Sequence, residues 1–122
     1  MTKEKTILII DDSSTSQMLL EYSLKSAGFN TKVAGSVSEA RKILSKSKPG
    51  LILLDLFMPK VSGYDFLKMK TELKIQDIPV IVVSAYNSKE SVQLTMDLGA
   101  SEFIGKPFKI ENIITTVKKY VK

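Results

Sequence analysis

The chain has 122 residues, 43% of them hydrophobic, which suits one soluble globular domain spanning residues 1–122. With no cysteine it has neither disulfides nor a thiolate metal site, and with no histidine it lacks the usual general base and zinc ligand. Any catalysis must therefore run on carboxylates, lysines or hydroxyls. Net charge is +5, from 18 Lys+Arg against 13 Asp+Glu, but the lysines are scattered and no basic run is interleaved with aromatics, so direct nucleic-acid binding is not expected.

The N-terminal residues Met1–Lys5 lead into an apolar run too short for a signal peptide. No stretch approaches the ~20 apolar residues that span a bilayer. A cytoplasmic protein is expected.

Thr6–Ile10 reads as a buried strand and is followed at once by Asp11 and Asp12. Ser14–Ala27 reads as a helix with Met18, Leu20 or Leu19, and Leu24 at helical spacing, stopped by Gly28. Asn30–Ala34 is a more polar strand, suited to a sheet edge. The next helix runs from Ser36 to about Lys46 with Val37, Ala40, Ile43 and Leu44 on one side. Ser36 is its expected N-cap, with Glu39 completing a capping box. Leu51–Leu54 is a continuous aliphatic strand, and Asp55 follows it. A helix is expected from Ser62 or Gly63 to about Leu73, presenting Phe66, Leu67 and Met69. Val80–Val83 is the fourth strand, with Ser84 at its end. Asn87–Leu98 is expected to be helical, with Val92, Leu94 or Thr95, and Met96 on its apolar side, ending at Gly99. Ser101–Ile104 is the fifth strand, with Lys106 two residues beyond. Lys109–Val121 closes the chain as a helix carrying Ile110, Ile113, Ile114, Val117 and Val121.

Five alternations of strand and helix predict a (βα)5 fold, with a five-stranded parallel sheet covered on both faces. Near-continuous aliphatic strands fit burial on both sides. The doubly wound, flavodoxin-like strand order 2-1-3-4-5 suits five strands and sets the first and third side by side at the switch point. Asp11, Asp12 and Asp55 would then share one edge with Ser84 and Lys106. Three acids at close quarters repel and resist ionising unless a cation sits among them, and oxygen donors suit magnesium (or manganese). That is equipment for accepting a phosphoryl group on a carboxylate.

In this order, Asp11-Asp12, Asp55, Met58-Pro59, Gly63, Ser84-Ala85 and Lys106-Pro107 resemble the motifs of response regulator receiver domains of two-component signalling, the CheY-like family, over the whole chain. The resemblance implies a phosphorelay component. Asp55 would be the phosphoacceptor, taking its phosphoryl group from a phosphohistidine on a sensor histidine kinase or phosphotransfer protein. Asp12, Asp55 and the backbone carbonyl of Phe57 would bind the metal, with Asp11 acting mainly through water. Lys106 and Ser84 would contact phosphoryl oxygens. Pro59 and Gly63 would shape the loop behind Asp55, glycine being free to take positive φ. The Lys106-Pro107 bond would be cis. Ser84 and Phe103 would form the switch, Phe103 in a position where many relatives carry tyrosine. A static core phenylalanine is the plain alternative.

Phe57 and Tyr86, each two residues beyond Asp55 and Ser84, are aromatic where polar residues are common in the family. They are expected either to screen the acyl phosphate from water or to contact a partner. The fourth helix, fifth strand and fifth helix would form the output surface, for an unknown downstream protein or a homodimer formed on phosphorylation. A chain from Met1 to a charged terminal helix favours a stand-alone receiver.

Two other readings compete. A binding module with this fold but no phosphorylation would not need all five site residues. An Asp-nucleophile phosphatase of the haloacid dehalogenase type needs a second Asp two residues after the nucleophile. Asp55 is followed by Leu56-Phe57 and Asp11 by Asp12-Ser13, so neither fits.

Overall fold

A computed structural model describes residues 6–58 and 60–121. Pro59 therefore lies outside the described residues, as do the two ends of the chain. Strands β1 (Thr6–Ile10), β2 (Asn30–Ala34), β3 (Leu51–Leu54), β4 (Val80–Ser84) and β5 (Glu102–Gly105) alternate with helices α1 (Ser14–Ser26), α2 (Val37–Lys46), α3 (Gly63–Lys68), α4 (Lys89–Asp97) and α5 (Ile110–Tyr120). All the strand pairs are parallel, and the sheet order is β2-β1-β3-β4-β5, as the alternation predicts. The chain reverses direction across the sheet between β1 and β3, whose C-terminal ends lie in register at Ile10 and Leu54.

The core is two layers, one on each sheet face. Leu8, Ile10, Ile52, Leu54, Val80 and Val82 point toward α2 and α3, where Leu44, Phe66 and Leu67 meet them. Ile7, Ile9, Leu51, Leu53, Ile81 and Val83 point the other way, toward Leu20, Leu24, Ile113 and Val117 of α1 and α5. Successive strand residues alternate faces, so a strand covered on both sides must be apolar throughout. Each fully buried Leu or Ile contributes about 1.5–3 kcal/mol, which makes the three central strands the main source of stability. Among the described residues, no helix is long and apolar enough to cross a membrane.

Several boundaries and faces differ from the sequence expectation. Helix α3 stops at Lys68 rather than near Leu73, and the chain continues in turns to Ile75 with Lys74 at φ 59°. Helix α4 begins only at Lys89, because Ser88 is the cap and accepts the Ser91 N–H at 3.2 Å. Strand β5 is shifted one residue later, to Glu102–Gly105. On α4 the structure buries Thr95, one of the two alternatives expected there, together with Ser91, which was not expected, while Leu94 and Met96 are 47% and 40% exposed. Burial of those hydroxyls is tolerated because each is satisfied locally. Thr95 Oγ1 donates to the Val92 carbonyl at 2.8 Å, and the Ser88 and Ser91 hydroxyls lie 3.0 Å apart. On α1, Leu20 and Leu24 are buried but Met18 faces solvent. On α5, Ile113 and Val117 are buried while Ile110 is exposed.

The expected capping box on α2 is half formed. Ser36 Oγ accepts the Glu39 N–H at 3.2 Å, but the Glu39 carboxylate accepts from the Gly35 N–H at 2.7 Å, one residue short of the cap. The reciprocal box occurs instead on α3, between Ser62 and Asp65.

Candidate functional site

The C-terminal ends of β1, β3, β4 and β5 bring the polar residues together. Asp11 continues β1, its N–H bonded to the Ala34 carbonyl at 3.0 Å. Asp55 continues β3, its N–H bonded to the Ile10 carbonyl at 2.9 Å. These two bonds extend the ladder one residue past each strand and so fix both carboxylates at the switch point. Carboxylate oxygens of Asp11, Asp12 and Asp55 lie within 4.8 Å of one another. Asp11 and Asp55 are buried, and Asp12 is exposed.

Each buried acid is held by donors. Asp11 Oδ1 accepts the Ser13 N–H at 2.9 Å, and its Oδ2 accepts from Lys106 Nζ at 3.0 Å. The Gln17 side-chain amide donates to the Asp11 carbonyl. Asp55 Oδ1 accepts the Leu56 N–H at 2.8 Å, while its Oδ2 stands 3.7 Å from Lys106 Nζ. Burial and the neighbouring Asp11 charge push the Asp55 carboxyl above its ordinary range. Lys106 and the backbone N–H groups of Leu56 and Phe57 oppose that rise without cancelling it.

This donor set fits a hard divalent cation. It offers three carboxylates converging on one small volume, and no nitrogen or sulfur ligand. A cation there would offset both the burial and the Asp11 repulsion that raise the Asp55 carboxyl.

Lys106 follows Gly105 at the end of β5, and its N–H bonds the Ser84 carbonyl at 2.9 Å. The Lys106-Pro107 bond is cis, as expected. Ser84 is fully buried at the end of β4, and its Oγ accepts the Tyr86 N–H at 3.1 Å. Phe103, opposite Val82 in the β4–β5 register, is partly buried against the layer that α2 and α3 cover.

Gly63 serves the loop differently from the expectation. Positive-φ glycines are Gly28 and Gly99, so Gly63 is not needed for backbone hand. It is needed for space, since a Cβ there would lie 2.4 Å from the Asp55 carbonyl oxygen. Gly63 also donates its N–H to the Leu56 carbonyl at 2.9 Å, so the start of α3 clamps the chain carrying Asp55.

Phe57 and Tyr86 pack edge to face, with ring centroids 4.6 Å apart and planes at 74°. They are 55% and 51% exposed, so the pair stands over the site's rim rather than in the core.

Sequence reasoning missed Ser16 and Gln17. Ser16 Oγ accepts from Lys106 Nζ at 3.2 Å. The only signal was polar residues in the first turn of a helix that starts beside the acids.

The family model described as response regulator receiver domain matches residues 7–118. The chain is 36% identical over 121 residues to sporulation initiation phosphotransferase F of Bacillus subtilis (strain 168), covering 99% of this chain and 96% of that protein. It is 30% identical over 118 residues to the alkaline phosphatase synthesis transcriptional regulatory protein PhoP of the same organism, covering 97% of this chain but 49% of that protein. The solved receiver domain of a signal transduction histidine kinase from Syntrophus aciditrophicus superposes with a TM-score of 0.87 at 31% identity, covering 96% of this chain and 89% of that one.

Proposed function

The chain belongs to the response regulator receiver domain family, the signalling phosphoacceptors of two-component systems, and from that premise we propose that residues 1–122 act as one receiver unit phosphorylated on Asp55. The observation that carries this reading is the buried Asp55 carboxylate, with Asp11 and Asp12 oxygens within 4.8 Å and the Lys106 ammonium at 3.7 Å. The donor is a phosphohistidine on a sensor histidine kinase or phosphotransfer protein. An Asp55 oxygen attacks phosphorus, the P–N bond breaks, and the imidazole leaves with its electron pair and takes up a proton. The product is an acyl phosphate on Asp55.

A carboxylate is a weak nucleophile, so the site must align the phosphoryl group and stabilise its charge. Magnesium (or manganese), held by Asp12, Asp55 and the Phe57 carbonyl with Asp11 acting through water, would neutralise the phosphoryl oxygens. Lys106 would move the short distance from Asp11 and Ser16 to a phosphoryl oxygen, as a flexible ammonium can. The Ser84 hydroxyl would donate to another. The chain turns over no separate substrate on this reading.

Ser84 and Phe103 form the switch. Moving the Ser84 hydroxyl toward the phosphoryl group breaks its bond from the Tyr86 N–H and frees the α4 side of β5 for repacking by Phe103. Phe103 has no hydroxyl to bond in either position, so burial alone drives its movement. A differential of a few kcal/mol between two packings is enough to invert their populations. The α4–β5–α5 face then meets a downstream protein or a second copy of the chain, in the cytoplasm.

Incubation with acetyl phosphate and magnesium should add one phosphoryl group, detected by intact mass, and Asp55→Asn should abolish it. A chain that stays unmodified under those conditions would be a phosphorylation-independent binding module instead.

A further inference from the structure

The Lys106 ammonium has three protons and is 19% exposed, so water supplies few of its partners. Asp11 Oδ2 takes one at 3.0 Å and Ser16 Oγ another at 3.2 Å, while Asp55 Oδ2 lies outside hydrogen-bond range at 3.7 Å. Asp55 carries a full charge when ionised and Ser16 carries none, so Coulomb attraction alone would draw the ammonium onto Asp55. The neutral hydroxyl holds its share because its place is fixed. Ser13 Oγ caps the Ser16 N–H at 3.3 Å, and Gln17 fastens the same turn to the Asp11 carbonyl. The first turn of α1 is therefore tied to Asp11 on both sides of Ser16.

We propose that Ser16 is a positioning residue for Lys106: its hydroxyl holds the ammonium against α1 and keeps it from closing onto the Asp55 carboxylate. This rests on reading Asp55 as the phosphoacceptor and deepens that reading. An ammonium closed onto Asp55 would occupy the nucleophile and compete with the cation for its oxygens. One held by Asp11 and Ser16 leaves Asp55 open yet stays within a short swing of a phosphoryl group. Giving up a neutral acceptor costs less than giving up a charged one, so Ser16 releases Lys106 readily when phosphate arrives.

The test is a magnesium titration of the whole chain followed by backbone amide shifts, on the wild type, Ser16→Ala and Ser16→Thr, each also in a Lys106→Ala background. Loss of one hydrogen bond from an ammonium in this partly exposed site shifts an equilibrium by about 10-fold. Ser16→Ala should weaken magnesium binding by that factor, and Ser16→Thr should retain wild-type affinity. In the Lys106→Ala background, Ser16→Ala should have no further effect, because no ammonium remains to misplace. Labelling by acetyl phosphate should be slow in Ser16→Ala at subsaturating magnesium and recover at saturation. Wild-type affinity in Ser16→Ala, or an equal loss with Lys106 absent, overturns the role of Ser16. If the wild type itself neither binds magnesium nor takes up phosphate, the acceptor reading falls and this one with it.

Discussion

Gly63 packs so closely on the backbone of Asp55 that a Cβ built on it would sit 2.4 Å from the Asp55 carbonyl oxygen and 2.8 Å from Leu56 Cα. Backbone atoms cannot step aside as a flexible side-chain tip can. Gly63→Ala must therefore displace either α3 or the segment that carries the acceptor carboxylate. Overpacking of this kind costs about 1–3 kcal/mol. Urea unfolding should show that loss, and acetyl phosphate labelling of the folded fraction should slow as well. A stable variant with wild-type labelling would mean that the contact is relieved without moving Asp55.

Asp55 itself should destabilise the cation-free fold. Its carboxyl is raised above the ordinary range, first by burial and then by Asp11. The sign follows from proton binding. Between the ordinary value and the raised one, the native chain keeps a proton that the unfolded chain has lost. Stability from this group therefore falls as pH rises through that window, and the deficit is complete above the folded value. Asp55→Asn should melt higher than the wild type at pH 7 without magnesium, and the difference should shrink as pH is lowered into the window. Magnesium should raise the wild-type melting temperature and leave Asp55→Asn much less affected. A gap of about 1 kcal/mol reads as about 4 °C at this chain length. An Asp55→Asn chain that melts lower at neutral pH would contradict a net cost from burying the charged carboxylate beside Asp11.

The site was legible in the sequence because it is made by topology. Once three aliphatic runs are read as strands buried on both faces, the residues following them must gather at one edge, and Asp11, Asp55, Ser84 and Lys106 do. What was not legible depends on side-chain reach. Nothing in the sequence says that a lysine at 106 reaches back to a serine at 16, since that contact depends on where α1 lies against the end of β1. On the buried face of α4, Ser91 escapes a periodicity reading for a related reason, and Thr95 is only one of two alternatives it offers. Periodicity looks for apolar residues, whereas Ser91 and Thr95 satisfy their hydroxyls within or beside the helix and so can be buried at little cost. Glu39 has the spacing to close a box on its own cap, but its carboxylate reaches the Gly35 N–H instead.

On the far side of the molecule, Glu102 of β5 accepts from Lys119 Nζ at 2.8 Å and from the Tyr120 hydroxyl at 2.9 Å, joining the edge strand to the end of α5. Those two hydrogen bonds hold the Glu102 carboxyl below its ordinary range, and the one to Glu102 raises Lys119. The Glu102 contribution to stability is therefore present above the unfolded carboxyl value and lost as pH falls through the depressed folded one. The Lys119 contribution is present below the ordinary lysine value and lost as pH rises through the raised one. Glu102→Gln should flatten the acid limb of the stability profile slightly, and the effect should diminish in high salt because the pair is solvent-facing. An acid limb unchanged in Glu102→Gln at low salt would show that the pair does not couple to folding.

Phe57 and Tyr86 meet edge to face across the rim of the acceptor site, one ring two residues past Asp55 and the other two past Ser84. Hydrolysis of the acyl phosphate needs a water aligned with the P–O bond, and polar side chains at these positions could align one. Two rings in mutual contact present apolar edges and faces, leaving the Tyr86 hydroxyl as the one side-chain group of the pair that can hold a water. The phosphorylated chain should accordingly be long-lived. In the double variant Phe57→Asn, Tyr86→Glu, the half-life of phosphorylated Asp55 should shorten by about tenfold, below the ~10²-fold that a well-placed general base can supply. Decay followed by intact mass after removal of acetyl phosphate gives both half-lives directly. Equal half-lives would leave the rings without a role in shielding and favour their use as a contact for a partner protein.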